Sequence, residues 1–381
     1  MTRLILLAAG TAILLAGCDR DSTTTAPGDN NVPALDQARG TSTSYAYSAT
    51  NAKAGNAIVV FTQGSNGALT PGATFATGGR GSGTGLGSQG SLVVSRDGQW
   101  LFAVNAGSNE VSVFRINGSS LSLTDRKPSG GDFPVSLTFE NGFLYVLNQA
   151  HAGNIFGFAL NSSGQLTALA GSRRPLSGAV ATAAAQVSFT DNGRTLVVTE
   201  KATNTIDTYQ VGTNGLASGP STHASAGVTP FGFTFTRNGN LLVSEAFGGT
   251  PGASAASSYA SVTNGNVQVI SSSVENTQTA ACWLVVSDDE RFAYVANTGS
   301  GTISSYRIHK DASLELRQAI AAQTGAGSAP IDLAFTSSGV LYNLDETSGE
   351  IDEFQMGADG SLVSLGSVDA LPAFAAGLAV R

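Results

Sequence analysis

Two glutamates, Glu200 and Glu245, each end an apolar stretch just ahead of a loop, at the same point of consecutive repeats in this 381-residue chain. Glutamate is a poor turn former, and paired carboxylates are what proton transfer or cation binding requires, so the two are the first candidates for catalytic groups. The ordinary alternative is a pair of solvated rim charges. Arg173 and Arg174 could grip a carboxylate or phosphate in bidentate fashion; His151 is expected in the loop after Asn148 and His223 in the crossover before Pro230, as candidate proton carriers. Gln186, Trp283 and Asp332, with Cys282 beside the tryptophan, interrupt columns of small residues at the starts of strands. A tryptophan there closes a channel, stacks on a sugar-like ring, or buries its indole N–H against a carbonyl. No two histidines and no His/Cys pair have a spacing suited to zinc, so neither a metal nor a cofactor is expected. Gly85-Leu-Gly87-Ser-Gln-Gly90 has the glycine spacing of a dinucleotide loop, but it opens a strand where that loop must open a helix, and the match is rejected.

The elements that position these groups recur. A turn dipeptide, a strand, a short Gly/Asn loop and a second strand ending on an aromatic residue repeat seven times, with anchors Phe61, Phe114, Phe158, Tyr209, Tyr259, Tyr306 and Phe354 at intervals of 44 to 53 residues. That is the length of a four-stranded blade, and the fold class is all-β: a seven-bladed β-propeller of antiparallel blades. Inner strands place large apolar residues at period two, as in Leu92/Val94, Leu137/Phe139 and Phe233/Phe235, with small residues between them for the next blade to pack against. Ala376 to Arg381 reads as an inner strand with nothing after it, and Ser44 to Thr50 starts in mid-blade; the C-terminal strand is expected to pair into the N-terminal blade and close the ring. Antiparallel order puts the loop after each second strand and the crossover to the next blade on one face, around the channel mouth. Asn105, Asn148, Glu200, Glu245, Asn297 and Asp345 end the second strands there, the asparagines reading as turn caps, and Arg173, Arg174 and His151 are placed on the same face; His309 falls on the other. The glycine- and alanine-rich stretch from Phe247 to Ser258 reads as a flap over the mouth.

The stretch from Ser91 to Phe114, SLVVSRDGQWLFAVNAGSNEVSVF, resembles the repeat of the lactonase-like propellers, a group that takes in 6-phosphogluconolactonase and carboxymuconate cyclase types. The resemblance runs from about Tyr45 to Arg381, with further clear copies at Cys282 to Ile308 and Ala329 to Phe354. It implies the propeller fold and raises lactone chemistry as an expectation. Members of the enzymatic branch carry paired histidines where this chain has Ala183 and Ala185, followed by Gln186. Two functions are therefore expected in competition. One is a binding module for a small molecule, glycan or protein at the channel-mouth face; the other is a lactone hydrolase or cycloisomerase using Glu200 or Glu245 as base and an arginine to steady an anionic substrate.

Arg3, the apolar run Leu4 to Leu15 and the small-residue site ending at Cys18 resemble a bacterial lipoprotein signal, too short for a spanning helix. The expected organisation is a signal over 1–17, a lipidated Cys18 with a Ser/Thr/Pro/Asp/Gly-rich tether over 18–43, and a propeller over 44–381. Such a coil reaches roughly 25–30 Å from the lipid. The expected setting is the cell envelope, at the periplasmic face of the inner or outer membrane. Nineteen Lys+Arg against 27 Asp+Glu give a net charge of −8 with no basic block, which argues against nucleic acid and anionic lipid surfaces as partners. A monomer is expected, and with Cys18 lipidated Cys282 has no disulfide partner.

Overall fold

Strands alternating large and small residues, joined by turns that favour a left-handed residue, form seven separate sheets in the computed structural model, which describes residues 44–178 and 181–381. The signal segment, Cys18 and the tether lie outside the described residues. Each sheet is antiparallel and ordered from the channel outward as it runs in sequence, except at the chain ends. In blade 1 the order is Ala376–Val380, Tyr45–Ala49, Ala57–Gln63, Leu69–Ala76. Tyr47 opposes Ala379 and Ser48 opposes Leu378, so the tail of the chain supplies the inner strand of the blade its beginning started. The inner strands of blades 2 to 7 are Leu92–Val94, Pro134–Glu140, Ala184–Phe189, Pro230–Phe235, Ala281–Val286 and Pro330–Phe335.

Each tight turn between inner and second strand needs a φ > 0 residue. Gly98, Gly193, Gly239 and Gly339 take that role, and in the one turn without glycine Glu290 adopts it, at φ 54°. The third-strand anchors Phe61, Phe114, Phe158, Tyr209, Tyr259, Tyr306 and Phe354 are all buried. Neighbouring blades nest through the inner strand of one and the second strand of the one before: Phe102 stacks on Phe139 at 4.7 Å, Tyr145 meets Phe189 edge-on at 5.8 Å, and Tyr294 lies 5.5 Å from Phe335. Buried tyrosine hydroxyls stitch the same seams. Tyr145 donates to Gly215 O at 2.7 Å, Tyr294 to Gly360 O at 3.0 Å, and Tyr342 of blade 7 to Gly67 O of blade 1 at 2.6 Å.

Two details depart from the sequence reading. The outermost strand of blade 3 is broken into Leu166–Ala168 and Arg174–Pro175, both paired with Asn154–Leu160. The supposed flap is shorter than expected: Ala255–Tyr259 is a fully buried third strand, and a 3-10 turn at Phe247–Gly249 is pinned by Phe247 N to Val228 O at 3.1 Å and by Gly248 N to Thr229 Oγ1 at 3.0 Å.

Leu378 is 7% exposed and packs in the clusters that join blades 7 and 1. Leu378→Ala should cost about 2–5 kcal/mol through the cavity it leaves. Removing residues 376–381 should abolish cooperative unfolding in urea, because it strips the edge from Tyr45–Ala49; a truncated protein with an unchanged urea midpoint would show that the ring does not depend on its clasp.

Candidate functional site

The last residues of the second strands, from which catalytic groups were expected, point into the blades. Asn105, Asn148, Glu200, Glu245, Asn297 and Asp345 are all at most 2% exposed. Each is tied to the crossover that enters its blade. Asn105 accepts from Thr77 Oγ1 at 2.7 Å, Asn148 donates to Ser129 O at 3.2 Å, Asn297 accepts from Asn276 Nδ2 at 3.0 Å, and Asp345 accepts from Ala329 N at 2.6 Å. Glu200 holds the same place. It accepts from Ser177 N at 2.9 Å, Ser177 Oγ at 2.7 Å, Thr203 Oγ1 at 2.6 Å and Thr205 Oγ1 at 3.1 Å. Glu245 is closed in by Ser257 Oγ at 2.5 Å and Ser273 Oγ at 2.7 Å. The expected convergence of the two glutamates does not occur: each is enclosed by donors of its own blade and its own entering crossover, and neither lines the channel. Nor are they solvated rim charges.

One residue further along, the side chains turn to the channel mouth. The ring at this position is Ala106, Gln149, Lys201, Ala246, Thr298 and Glu346. Lys201 carries its ammonium 4.5 Å over the ring of Phe231 and donates to the carbonyl oxygen of Gly87. Glu346 lies against Gly85 so closely that a β-carbon there would overlap its carboxylate, and among the described residues no hydrogen bond reaches that carboxylate. Lys201 and Glu346 sit on blades 4 and 7, and both act electrostatically on Cys282 of blade 6.

What fills the space between them is the segment Gly85–Gly90, the glycine run with the misleading dinucleotide spacing. It crosses the mouth as a strap before entering Leu92–Val94. Ser88 Oγ donates to Val135 O of blade 3 at 2.9 Å, Gln89 N to Ala185 O of blade 4 at 3.1 Å, and the Gln89 amide exchanges hydrogen bonds with Leu284 N and O of blade 6 at 3.1 and 3.0 Å. Trp283 donates its indole N–H to Ser88 O at 3.0 Å and packs its ring 5.0 Å from Phe231. The tryptophan is thus buried against a carbonyl and closes the channel with the strap. Below it a cavity of about 360 Å³ follows the inner strands from Gln89, Gln186 and Asp332 down to Val94, Phe139, Ser188 and Val380.

Gln186 and Asp332 line that cavity but also staple adjacent blades. Gln186 exchanges hydrogen bonds with Phe233 N and O at 2.7 and 3.0 Å, and Asp332 accepts from Gly377 N at 2.7 Å. Arg173 and Arg174 are on the outer edge of blade 3, as far from the axis as a strand can lie, and Arg174 Nη1 folds back onto Gly171 O and Arg173 O at 2.7 and 2.8 Å. His223 is in the outer strand Ala217–Ala224 of blade 4, not in the crossover, with Nε2 3.4 Å from Thr208 Oγ1. His151 is exposed in the loop after the second strand of blade 3, where it takes φ 61°. Among the described residues no three His, Cys, Asp or Glu side chains gather to hold a metal.

Burial sets the proton affinities. Desolvation pushes Lys201 down to about 8 and Cys282 up to about 12, so the lysine is close to titration while the thiol stays protonated. Burial, then the charge of Asp345, raises Glu346 above the ordinary carboxylate range. Burial lifts Asp332 to about 7 against the opposing Gly377 N–H, with Glu346 adding to the rise. In blade 4, Asp207 sits seven residues after Glu200, where Ser112 faces Asn105 and Ser304 faces Asn297 at 2.8 Å each. Burial would raise Glu200 too, but the Ser177 and Thr203 donors outweigh it and hold it below its usual value. Burial, and after it the charge of Glu200, pushes Asp207 up to about 7 against the Thr222 hydroxyl that it accepts from, so of these two carboxyls Asp207 is the one that holds its proton longer.

Lys201 and Glu346 escaped the sequence reading because a strand reverses the facing of its side chains at every residue. The available signal was the charged pair of neighbours Glu200-Lys201 and Asp345-Glu346 at the mouth-facing ends of blades 4 and 7.

With this geometry in hand, the chain matches the family model "Lactonase, 7-bladed beta-propeller" over residues 39–180 and 244–332. The interval between the two matched stretches contains all of blade 4, and the match ends before the last three strands of blade 7 and the closing strand. No curated protein matches the sequence. Among solved structures, a Bacteroides fragilis protein assigned by name as a 6-phosphogluconolactonase aligns with TM-score 0.70 at 17% identity, over 91% of this chain and 100% of that one. A periplasmic gluconolactonase of Pseudomonas aeruginosa aligns with TM-score 0.68 at 15% identity, over 88% of this chain and 98% of that one. A Lactobacillus plantarum protein gives 0.72 at 17% identity, over 89% and 99%. At these identities the likeness is one of fold.

Asp207 and Asp332, lifted by burial to about 7, and Asp352, lifted to about 6, keep protons in the folded state that the unfolded chain has lost above about pH 4. The folded state then binds more protons, so stability falls as pH rises towards 7 and levels off above it; Glu200 and Asp345, held low, titrate below this window. The urea midpoint should therefore drop between pH 5 and pH 8. Asp207→Asn, which removes the titrating proton at nearly the same volume, should flatten part of that drop, and a midpoint that rises over the same range would contradict the protonated assignment.

Proposed function

The chain belongs to the lactonase family of seven-bladed β-propellers, and from that membership and the channel mouth we propose that it hydrolyses a lactone, with Lys201 and Glu346 as the groups that touch the substrate. The observation that carries this reading is the lysine ammonium of blade 4, stripped of most of its water and already holding a carbonyl oxygen, that of Gly87, across the mouth from a carboxylate with raised proton affinity. A lactone carbonyl takes the place of Gly87 O at Nζ once the strap lifts. Glu346 removes a proton from the attacking water as the water oxygen bonds to the carbonyl carbon, and Lys201 stabilises the oxyanion that forms. When the ring C–O bond breaks, the departing alkoxide takes the proton back from Glu346 and the product is a hydroxy acid. Asp332 and Trp283 position the neighbouring inner strands and strap. Glu200 and Glu245 keep the structural place that asparagine fills in blades 2, 3 and 6.

The paired histidines of the enzymatic branch have no counterpart at Ala183 and Ala185, and the proton transfer therefore rests on a different blade. We further propose that the protein works tethered to a cell-envelope membrane through Cys18, a reading supported by the small-residue run ahead of that cysteine.

Hydrolysis of glucono-δ-lactone and of aromatic lactones, followed by acid release, tests the assignment. Glu346→Gln should lower kcat about 10²–10³-fold and Lys201→Met by a similar factor, both with the unfolding temperature retained. The pH profile of kcat/KM should rise as Glu346 ionises and fall as Lys201 deprotonates near 8. Glu200→Gln should leave kcat within about threefold and cost about 1–3 kcal/mol of stability. Binding of a lactone without turnover would replace the enzyme with a binding module, and loss of turnover in Glu200→Gln alone would return the chemistry to the second-strand ring.

A further inference from the structure

We propose that the channel below the strap binds a small oxyanion, which bridges blades 7, 1 and 2 and ties the closing seam from inside. An inner strand gives every second peptide N–H to the strand beside it and turns the others towards the channel. Register fixes which ones. Ser95 N donates to Trp100 O at 2.8 Å, Thr336 N to Val340 O at 2.9 Å and Arg381 N to Tyr45 O at 2.9 Å, so three residues before each of them Leu92, Leu333 and Leu378 present their N–H groups to the channel.

At the same position of the other blades the group is capped. Leu137 N donates to Gly90 O at 2.7 Å, Val187 N to Ser136 Oγ at 3.1 Å, Phe233 N to Gln186 Oε1 at 2.7 Å and Leu284 N to Gln89 Oε1 at 3.1 Å. Leu92, Leu333 and Leu378 find no such acceptor among the described residues, and all three line the cavity of about 360 Å³. Asp332 lines it beside them. It is 4% exposed; one oxygen accepts from Gly377 N at 2.7 Å, and the other has no hydrogen-bond partner among the described residues. An arc of peptide donors without acceptors repels a cation and suits negatively charged oxygen. The Gly377 N–H and the Trp283 indole are the neutral donors that face Asp332, and Glu346 is the titratable group whose charge acts on it. No cation offsets its burial, so up to about pH 7 it keeps a proton to donate to the anion. The strap and Trp283 shut the cavity above, and entry is past the half-buried Val94, Phe139 and Val380 at the opposite face.

The test reads the urea midpoint of the purified protein in sodium acetate, sodium phosphate and sodium chloride at equal ionic strength, at about pH 6 and about pH 8. A ligand that binds only the folded state raises the midpoint once its concentration passes its dissociation constant. Acetate should raise it over chloride at the lower pH, and its apparent affinity should fall about tenfold at the higher one, as Asp332 gives up its proton. Asp332→Asn, whose amide can accept from Gly377 N and donate to the anion, should hold the acetate effect equal at both pH values. A stronger effect of phosphate than of acetate identifies the occupant as an inorganic ion, and the reverse order as a carboxylate. Crystals of the wild-type protein soaked in bromoacetate should place bromine beside Leu92, Leu333 and Leu378, a readout that stands if Asp332→Asn fails to fold. Equal midpoints in all three salts, with no bromine in the cavity, show that it holds water only and overturn the site. An acetate effect in the wild-type protein that ignores pH is a general salt effect on folding and overturns it equally.

Discussion

Ring closure is the constraint on which the rest of this molecule depends. Seven small sheets can surround a channel only if the last is joined to the first, and here that join is the pairing of Ala376–Val380 with Tyr45–Ala49, reinforced by Tyr342 donating to Gly67 O across the seam. No disulfide assists it: among the described residues Cys282 is free and buried. Closure fixes the radius at which the inner strands stand, and that radius decides whether a strap from one crossover can reach blades 3, 4 and 6 at once.

The polar residues that end the second strands carry a second, local constraint. At each of these positions a buried side chain ties the blade to the crossover entering it. Asparagine, aspartate and glutamate all serve, because each offers acceptor oxygens to nearby hydroxyl and amide donors. A carboxylate can be kept ionised there without a cation if donors saturate it, as Ser177, Thr203 and Thr205 do for Glu200. This is why the two glutamates that looked most chemical have a structural environment. Their neighbours one position later inherit the channel.

Blade 4 is one of two stretches where the chain leaves its family model, the other being the end of blade 7 with the closing strand. The family match lapses across blade 4, the alanines at positions 183 and 185 stand in it, and it contributes both the buried carboxyls Glu200 and Asp207 and the mouth lysine. A fold of repeated blades tolerates such divergence because each sheet is internally paired and meets its neighbours through side chains. One blade can then change its chemistry while the ring keeps its shape.

The sequence by itself determined the number of blades, their four-strand grammar, the aromatic anchors and the clasp, because these rest on period-two alternation and turn chemistry, which are local. It also placed Gln186 and Asp332 at the tops of inner strands and rejected the glycine run as a nucleotide loop. The tertiary structure alone decided that this run crosses the mouth, that Arg173 and Arg174 face away from the axis, and that Lys201 rather than Glu200 meets the channel. Those outcomes depend on which way a strand end points and on contacts between residues far apart in sequence, such as the 195 positions that separate Gln89 from Leu284. A single residue of register reverses the first, and the second exists only once the ring is closed.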